Sequence, residues 1–143
     1  MRLTAYTDYT LRTLIYLAVR PDHTATIAEI ATAYRVSEAH LTKIVHQLGL
    51  AGEIATTRGR GGGIRLAKPP EAINLGAVVR RTEPDMDIVP CFGNGTACPI
   101  DEACVLSDAL RQATNAFLTV LDRYNLADLV APKHRLAALL HLT

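Results

Sequence analysis

The sequence predicts a mostly α-helical chain that carries one short β-hairpin, and three observations lead to this prediction. Apolar residues recur every three or four positions over much of the 143 residues, which is the spacing of amphipathic helices. Two short runs with strand character flank a glycine-rich segment, residues 59–63. A further apolar repeat fills residues 102–124 and begins beside the last of three closely spaced cysteines. We therefore expect helices and a hairpin first, then a cysteine loop and one long helix.

The composition is typical of a folded globular protein. The apolar fraction is 49% and the charged fraction 20%, which argues against a disordered chain. The apolar run over residues 14–19 is far shorter than the ~20 residues that cross a bilayer. The first residues contain no apolar signal segment, so we expect a cytoplasmic protein without a secretory signal or a membrane partner. Two Phe and no Trp make a modest core, which favours oligomerisation.

Charge is divided unevenly between the two halves of the chain. Residues 1–81 contain eleven Lys and Arg against six acids, a net charge of +5, whereas residues 82–143 contain four against eight, a net charge of −4. A basic half joined to an acidic half predicts that the first half meets a polyanion. Uneven surface composition without any partner explains the same charges, so charge alone leaves both interpretations open.

Three helices are predicted before residue 51. The first covers residues 4–20. Thr26 and Glu29 form a capping box, which starts a short second helix. After a tight break, Ser37 is a good N-cap for a third helix that continues to about Leu50. Two short helices joined by a tight turn fit a helix-turn-helix, whose second helix reads DNA.

A β-hairpin is predicted directly after the third helix. Residues 53–57 and 64–67 have strand character, and the segment between these two runs contains Arg58, Arg60 and four glycines. The glycine run is not a phosphate-binding loop, because Ile64 stands where the dinucleotide fingerprint needs a glycine and no helix follows. A hairpin after a helix-turn-helix is a wing, and its arginines suit the minor groove of DNA. A solvated, flexible hairpin is the alternative.

The exposed positions of the third helix and the wing supply the candidate DNA contacts. They are Ser37, His40, Thr42, Lys43 and Gln47 of the third helix and Arg58, Arg60 and Arg65 of the wing. Lys43 and Gln47 suit base edges or phosphates, and Thr4 and Arg12 are further candidates for phosphate. The chain contains no G-x-S-x-G, H-E-x-x-H or P-loop motif, so we do not expect an enzyme.

Cys91, Cys98 and Cys104 are the only cysteines and lie within fourteen residues. In a cytosolic protein such a group is typical of a metal or redox site rather than of disulfides. The C-x6-C-x5-C spacing lacks the paired C-x2-C of most zinc sites and suits the looser loops of iron–sulfur clusters. Spacing does not choose a fourth ligand among Asp85, Asp87, Asp101 and Glu102. A structural zinc site and an electron-transfer cluster remain alternatives.

A long helix is predicted over residues 102–124, with Asp101 as its cap and Cys104 in its first turn, where the helix dipole favours a thiolate. A shorter helix, residues 75–81, precedes it behind a cap at Asn74. The seam of the long helix consists of Leu106, Leu110, Ala113, Phe117, Val120 and Tyr124. We expect this seam to pack both on a second copy, in a symmetric dimer, and on the first helix of its own chain.

The predicted architecture is thus a winged helix-turn-helix with a cysteine-bearing cluster loop and a long C-terminal dimerisation helix. Residues 1–81 form the DNA-binding domain, residues 82–104 the iron–sulfur cluster loop, and residues 102–143 the dimerisation helix and tail.

The order of these features resembles the IscR/NsrR/RirA superfamily of iron–sulfur winged-helix repressors, and most closely its NsrR-type members. The resemblance covers nearly the whole chain. The motifs that carry it are Met1-Arg2-Leu3-Thr4, Thr7-Asp8-Tyr9, Val36-Ser37, Arg58-Gly59, Gly62-Gly63-Ile64-Arg65-Leu66, the three-cysteine loop and Ala127-Asp128-Leu129-Val130.

The resemblance implies a set of ligands and a function. Cys91, Cys98 and Cys104 match the cluster thiolates, and Asp8 matches the carboxylate that completes a [4Fe–4S] cluster from the partner subunit. Ser107 stands where IscR-type proteins have a histidine, which argues against their [2Fe–2S] ligation, the alternative cofactor. The implied protein is a homodimeric repressor that leaves palindromic operator DNA when nitric oxide attacks its cluster. An iron-responsive RirA-like or a cluster-status IscR-like regulator is the alternative, and an electron-transfer protein is the rival class.

Overall fold

Residues 1–22, 24–93 and 98–142 are described by a computed structural model of the chain. Nine α-helical or β-strand segments are found in these residues: α1 (Ala5–Val19), α2 (Ile27–Tyr34), α3 (Glu38–Leu50), β1 (Ile54–Thr57), β2 (Gly63–Leu66), α4 (Leu75–Thr82), α5 (Val105–Leu121), α6 (Leu126–Leu129) and α7 (Lys133–Leu139). Short 3-10 turns cover Pro70–Ala72, Pro90–Phe92 and Asp101–Ala103. The prediction of a mostly helical fold with one hairpin is confirmed. Residues 94–97 of the predicted cysteine loop lie outside the described residues.

The helix starts follow the capping signals in the sequence. Thr26 and Glu29 form both hydrogen bonds of the predicted capping box at α2. Asn74 caps α4 by accepting a hydrogen bond from the amide of Ala77 at 3.0 Å. Ser37 occupies the N-cap position of α3 as predicted, but its side chain makes no capping hydrogen bond. Its hydroxyl group is exposed.

One apolar core joins α1, α2, α3 and the hairpin. Its most enclosed side chains include Leu14 and Leu17 of α1, Ile30 of α2, and Leu41, Ile44 and Leu48 of α3. The hairpin is tied to the segment before α2 because Ala25 and Ile64 exchange two backbone hydrogen bonds of 2.8 and 2.7 Å. The wing is therefore held at a set position beside α3 rather than tethered loosely.

Hydroxyl groups fasten the start of α1 to the end of α4. Thr7 donates to the Thr82 hydroxyl at 2.8 Å, and Thr82 donates to the carbonyl of Val78 at 2.9 Å. The backbone amide of Thr4 donates to the Glu83 carboxylate at 2.8 Å. These bonds place the beginning of α1 against the segment that leads into the cysteine loop.

The predicted bounds of the long helix are wrong at both ends. Asp101 lies in a 3-10 turn and is not the cap; Cys104 is the N-cap, with an extended backbone (ψ 95°), so it precedes the first turn. At the other end, the carbonyl of Tyr124 accepts the amide of Leu75 at 2.9 Å, which draws the chain out of the helix towards α4. Tertiary hydrogen bonds thus override the apolar repeat.

Among the described elements, α5 packs chiefly on α4, not on α1 as predicted. Arg80 and Asp122 form a two-pronged ion pair, with Nη2 and Oδ2 2.8 Å apart. A Cβ atom on Gly76 would overlap the carboxylate of Asp122 in this ion pair, so a larger residue there would have to displace the Asp122 and Arg80 side chains. No described helix is both long enough and apolar enough to cross a membrane.

Candidate functional site

The face of α3 that turns away from the core carries the predicted DNA contacts. Leu41, Ile44 and Leu48 are buried, and this fixes which face of the helix is left outside. The candidates on the outer face are all exposed: Ser37, His40, Thr42, Lys43 and Gln47. The hydroxyl of Thr42 donates to the carbonyl of Glu38 at 2.8 Å, so this hydroxyl is left as an acceptor towards a ligand. The arrangement suits a helix that enters a major groove.

The wing exposes the three predicted arginines. Arg58, Arg60 and Arg65 are all exposed, and Arg65 lies opposite Ala55 in the two-stranded register. The tight turn needs glycine where a side chain would clash with the backbone and where φ is positive. A Cβ atom on Gly62 would overlap the Thr57 carbonyl oxygen, and Gly61 has a left-handed φ of 73°. The turn therefore presents cationic side chains on a closely packed backbone.

Asp8 lies in the first turn of α1 and forms an ion pair with Arg12 one turn later. Two contacts of 3.0 Å join the guanidinium to the two carboxylate oxygens, and both side chains are somewhat less than half exposed. The guanidinium also lies over the ring of Tyr34, 5.7 Å from its centroid. Burial raises the pKa of Tyr34 to about 12, although Arg12 opposes the shift, so the phenol is neutral at physiological pH.

Arg12 and Thr4, the further candidates for phosphate contact, have partners within the chain: Arg12 pairs with Asp8, and Thr4 caps α1. The four-residue spacing of Asp8 and Arg12 is the signal that could have identified the ion pair.

The same part of α1 touches the predicted recognition helix. The rings of Tyr9 and His40 lie 6.2 Å apart, centroid to centroid. Tyr6, Tyr9, His40 and Lys43 line a cavity of about 200 Å3 between α1 and α3. Any shift of the Asp8 turn therefore reaches α3 through direct side-chain contact.

The three cysteines are free thiols, each half-buried. Cys91 lies in the turn Pro90–Phe92, and the carbonyl of Cys98 accepts the amide of Asp101 at 3.1 Å. The sulfur of Cys104 accepts the backbone amide of Ser107 at 3.4 Å, as a capping group does. These bonds hold the last cysteine at the N-terminus of α5.

The donor set fits an iron–sulfur cluster by its chemistry, since thiolates are the usual ligands of these clusters. Within the described residues, however, no three His, Cys, Asp or Glu side chains are gathered around a common point, Asp8 and the cysteines included. The carboxylates considered as alternative fourth ligands are not gathered with the cysteines either. The carboxylate of Asp85, for example, accepts a hydrogen bond from the amide of Asp87 at 2.9 Å. The described residues of the single chain thus include candidate ligands but do not bring them together.

The outer face of α5 is apolar, and several of its large side chains are left exposed by the residues that the structure describes. Val105, Leu106 and Val120 are exposed at 78%, 66% and 48%. A soluble protein seldom leaves such a row of large apolar side chains in water unless another surface covers it.

Comparisons with known proteins agree with this architecture. The sequence profile of the Rrf2 family, iron-dependent transcriptional regulators, matches residues 3–132. The chain is 48% identical to the HTH-type transcriptional regulator NsrR of Halalkalibacterium halodurans, over 99% of each chain. It is 49% identical to the NsrR of Bacillus subtilis, again over 99% of each. The structure of CymR, the global cysteine regulator of B. subtilis, aligns with a TM-score of 0.73 and 26% identity over 92% of this chain and 97% of that chain.

Proposed function

This chain belongs to the Rrf2 family of transcriptional regulators, and we propose that it is an NsrR-type repressor that leaves its operator when nitric oxide reacts at a [4Fe–4S] cluster. Its relatives are regulators and not enzymes, in agreement with the absence of hydrolase and nucleotide-binding motifs from the sequence. In this proposal the chain has three functional parts. Residues 1–81 bind DNA, residues 82–104 hold the cluster, and residues 102–143 dimerise.

The observation that carries DNA binding is the separation of faces on α3. Its three core leucine and isoleucine positions are buried while all five candidate contacts are exposed, and the arginine-bearing wing follows directly. A recognition helix with an adjacent cationic wing reads the major groove and reinforces binding at the neighbouring minor groove. Lys43 and Gln47 contact base edges or phosphates, and Arg58, Arg60 and Arg65 contact the backbone or minor groove.

Dimerisation through α5 explains the apolar row that the single chain leaves uncovered. Leu106 and Val120 of one protomer meet the same face of the partner, which buries the side chains that are now exposed. A two-fold dimer presents two copies of α3, and this matches a palindromic operator with two half-sites.

Cys91, Cys98 and Cys104 hold the cluster, and Asp8 of one protomer completes the ligand set of the other. The bound cluster supplies the iron at which nitric oxide reacts. Three thiolates and one carboxylate on a 2+ core give a net charge of about −2, so amide donors and nearby cations stabilise the site. A carboxylate is a harder and weaker ligand for cluster iron than a thiolate, so Asp8 would be the most readily exchanged of the four ligands.

In this proposal Asp8 pairs either with Arg12 of its own chain or with the cluster of the partner subunit. This choice couples the cluster site to DNA binding. Both of its oxygens engage Arg12 in the single chain, so Asp8 cannot keep this geometry and also serve a cluster in the partner. Arg12 contacts Tyr34 at the end of α2, and Tyr9 contacts His40 on α3. Exchange between the two partners of Asp8 thus shifts the surroundings of the recognition helix, which is the differential interaction that coupling requires.

The test is DNA-binding anisotropy of anaerobically purified dimer on a duplex enriched from random sequence by the protein itself, with a scrambled duplex as control. Nitric oxide is titrated in one cell and an iron chelator is added in another. Release at a few nitric oxide molecules per cluster, with little response to chelator, supports the proposal. Release by chelator but not by nitric oxide replaces it with an iron sensor of the RirA kind.

The colour of the protein checks the cofactor separately. Brown protein with visible absorbance supports the iron–sulfur assignment, whereas colourless protein containing zinc contradicts it. An Asp8→Asn variant should retain a cluster held by the three thiolates, but its DNA affinity should respond more weakly to nitric oxide. A wild-type response in that variant would contradict the role of Asp8.

A further inference from the structure

The shortest cation–π contact in the described residues joins α5 to the cysteine loop. The guanidinium carbon of Arg111 lies 4.3 Å from the centroid of the Phe92 ring, compared with 5.7 and 6.0 Å for the two contacts of Arg12. Phe92 directly follows Cys91 in the same 3-10 turn. The contact therefore ties the turn that contains Cys91 to α5, the helix that Cys104 caps.

Arg111 is itself exposed and lies at the edge of the face of α5 that turns towards its own chain. Cys104, Ser107, Arg111 and Thr114 follow one another at intervals of three and four residues, which places them on one side of a helix. Ser107 and Thr114 are each only 8% exposed, so this side is the inner one. Arg111 lies two turns, or about 10 Å, beyond Cys104 along the axis. Stacking on Arg111 thus lays the Cys91 turn along the face that begins at Cys104.

Arg111 contacts the aromatic ring of Phe92 although an acidic residue lies nearby on the same helix. Asp108 lies three residues earlier on α5, at a spacing that forms ion pairs on helices. No carboxylate of the described residues lies within ion-pair distance of Arg111, and its guanidinium lies over the ring instead. Its positive charge is therefore not neutralised by a described carboxylate, beside a loop proposed to bind a cluster of net negative charge.

We propose that Arg111 is a positioning residue for the cysteine loop: its stack on Phe92 holds the Cys91 turn on the inner face of α5, and its charge offsets that of the bound cluster. The first half of the proposal concerns the metal-free chain alone. The second half rests on the proposed function.

Hydrogen exchange of the metal-free, full-length protein tests the first half. The amide of Phe92 donates to the carbonyl of Val89 at 3.1 Å, so its exchange reports on the turn. Loss of the stack in Arg111→Ala should speed exchange of the Phe92 amide by about twofold to fivefold. Phe92→Leu should act alike, and the double variant should add little because both remove one contact. Arg123→Ala, which removes an exposed arginine just after α5, is the matched control.

Wild-type exchange of the turn in both Arg111→Ala and Phe92→Leu would overturn the proposal, and additive effects in the double variant would overturn the direct contact. Neither result depends on a cluster. A wild-type protein that binds no cluster would defeat the proposed function and leave this measurement valid.

The reduction potential of the cluster-loaded protein tests the charge. A positive charge beside a cluster favours its more negative, reduced form, so Arg111→Gln should lower the potential and Arg111→Lys should restore it. Phe92→Leu, which keeps the arginine, should change the potential less than Arg111→Gln. Equal potentials in the wild type and Arg111→Gln would overturn the electrostatic half of the proposal.

Discussion

The two halves of the chain bury their side chains to very different extents. In residues 1–81 every helix and both strands contribute to one core, in which Ile44 is 1% exposed. In residues 82–142 the longest helix leaves Leu106 and Val120 at 66% and 48% exposure. The first half therefore owes its shape to its own packing, whereas the second half presents surfaces that need something from outside the chain.

This difference matches the tasks that we propose for the two halves. A DNA-reading surface works best when it is rigid, because its side chains must keep a fixed register with base pairs. A sensing segment must change its contacts when its signal arrives, and such segments are drawn from the less stable parts of a fold. The basic half contains most of the buried core, and the acidic half contains the cysteines and the exposed apolar row of α5. The following four predictions test this contrast.

The largest effect is expected in the core of the first half. Leu41→Ala deletes a side chain that is 1% exposed and should lower the free energy of unfolding by about 3 kcal/mol. Leu139→Ala makes the same deletion at a side chain that is 69% exposed and should cost less than about 0.5 kcal/mol. Urea unfolding measures both. Equal losses would mean that the two halves are not packed differently.

The second effect concerns the apolar row of α5. Leu106→Glu would bury a carboxylate in the proposed dimer interface and should weaken dimerisation on the order of 100-fold, because a charge buried without a partner is costly. Sedimentation equilibrium measures the dissociation constant, and circular dichroism checks that the helix content is kept. Asn115→Glu, a charge added at an exposed position off the seam, should leave the dimer intact. If the wild-type protein is monomeric, the proposed dimer interface on α5 is wrong.

The third effect concerns the wing. Arg60→Ala should weaken operator binding about fivefold to tenfold and reduce the slope of log affinity against log salt by about one, since one phosphate contact is lost. Arg135→Ala removes an exposed arginine of α7, which belongs neither to α3 nor to the wing, and should change neither quantity. An unaltered salt slope in Arg60→Ala would show that this arginine does not meet the DNA.

The smallest effect is the pH dependence of the stability that the Arg80–Asp122 ion pair contributes between α4 and the end of α5. The hydrogen bonds from Arg80 hold the pKa of Asp122 below its ordinary value of 3.8. Because the folded pKa is the lower one, the ion pair contributes stability above pH 3.8 and loses it as the pH falls through the lowered pKa. Thermal unfolding should show a small drop in Tm for Asp122→Asn at neutral pH that shrinks in acid. A difference that persists in strong acid would point to packing instead.

Much of the first half could be predicted from local signals. The Thr26–Glu29 box and Asn74 mark the starts of α2 and α4, where capping bonds involve residues only three apart. The wing followed from glycine and strand runs of the same kind. The start of α5 escaped prediction, because Asp101 is as good a capping residue as any and the choice of Cys104 depends on the 3-10 turn before it. Local sequence could not decide whether Asp101 or Cys104 caps the helix.

The sequence by itself determined the order of elements, the faces of α3 and the thiol donor set, since these depend on residue type and on spacings within a few turns. Only the tertiary structure decided the contacts between distant segments. It joined Arg111 to Phe92 across the cysteine loop, set α5 chiefly against α4, and brought Tyr9 against His40. Such contacts arise from the packing of whole elements, in which a side chain takes whichever partner the surrounding backbone brings within reach.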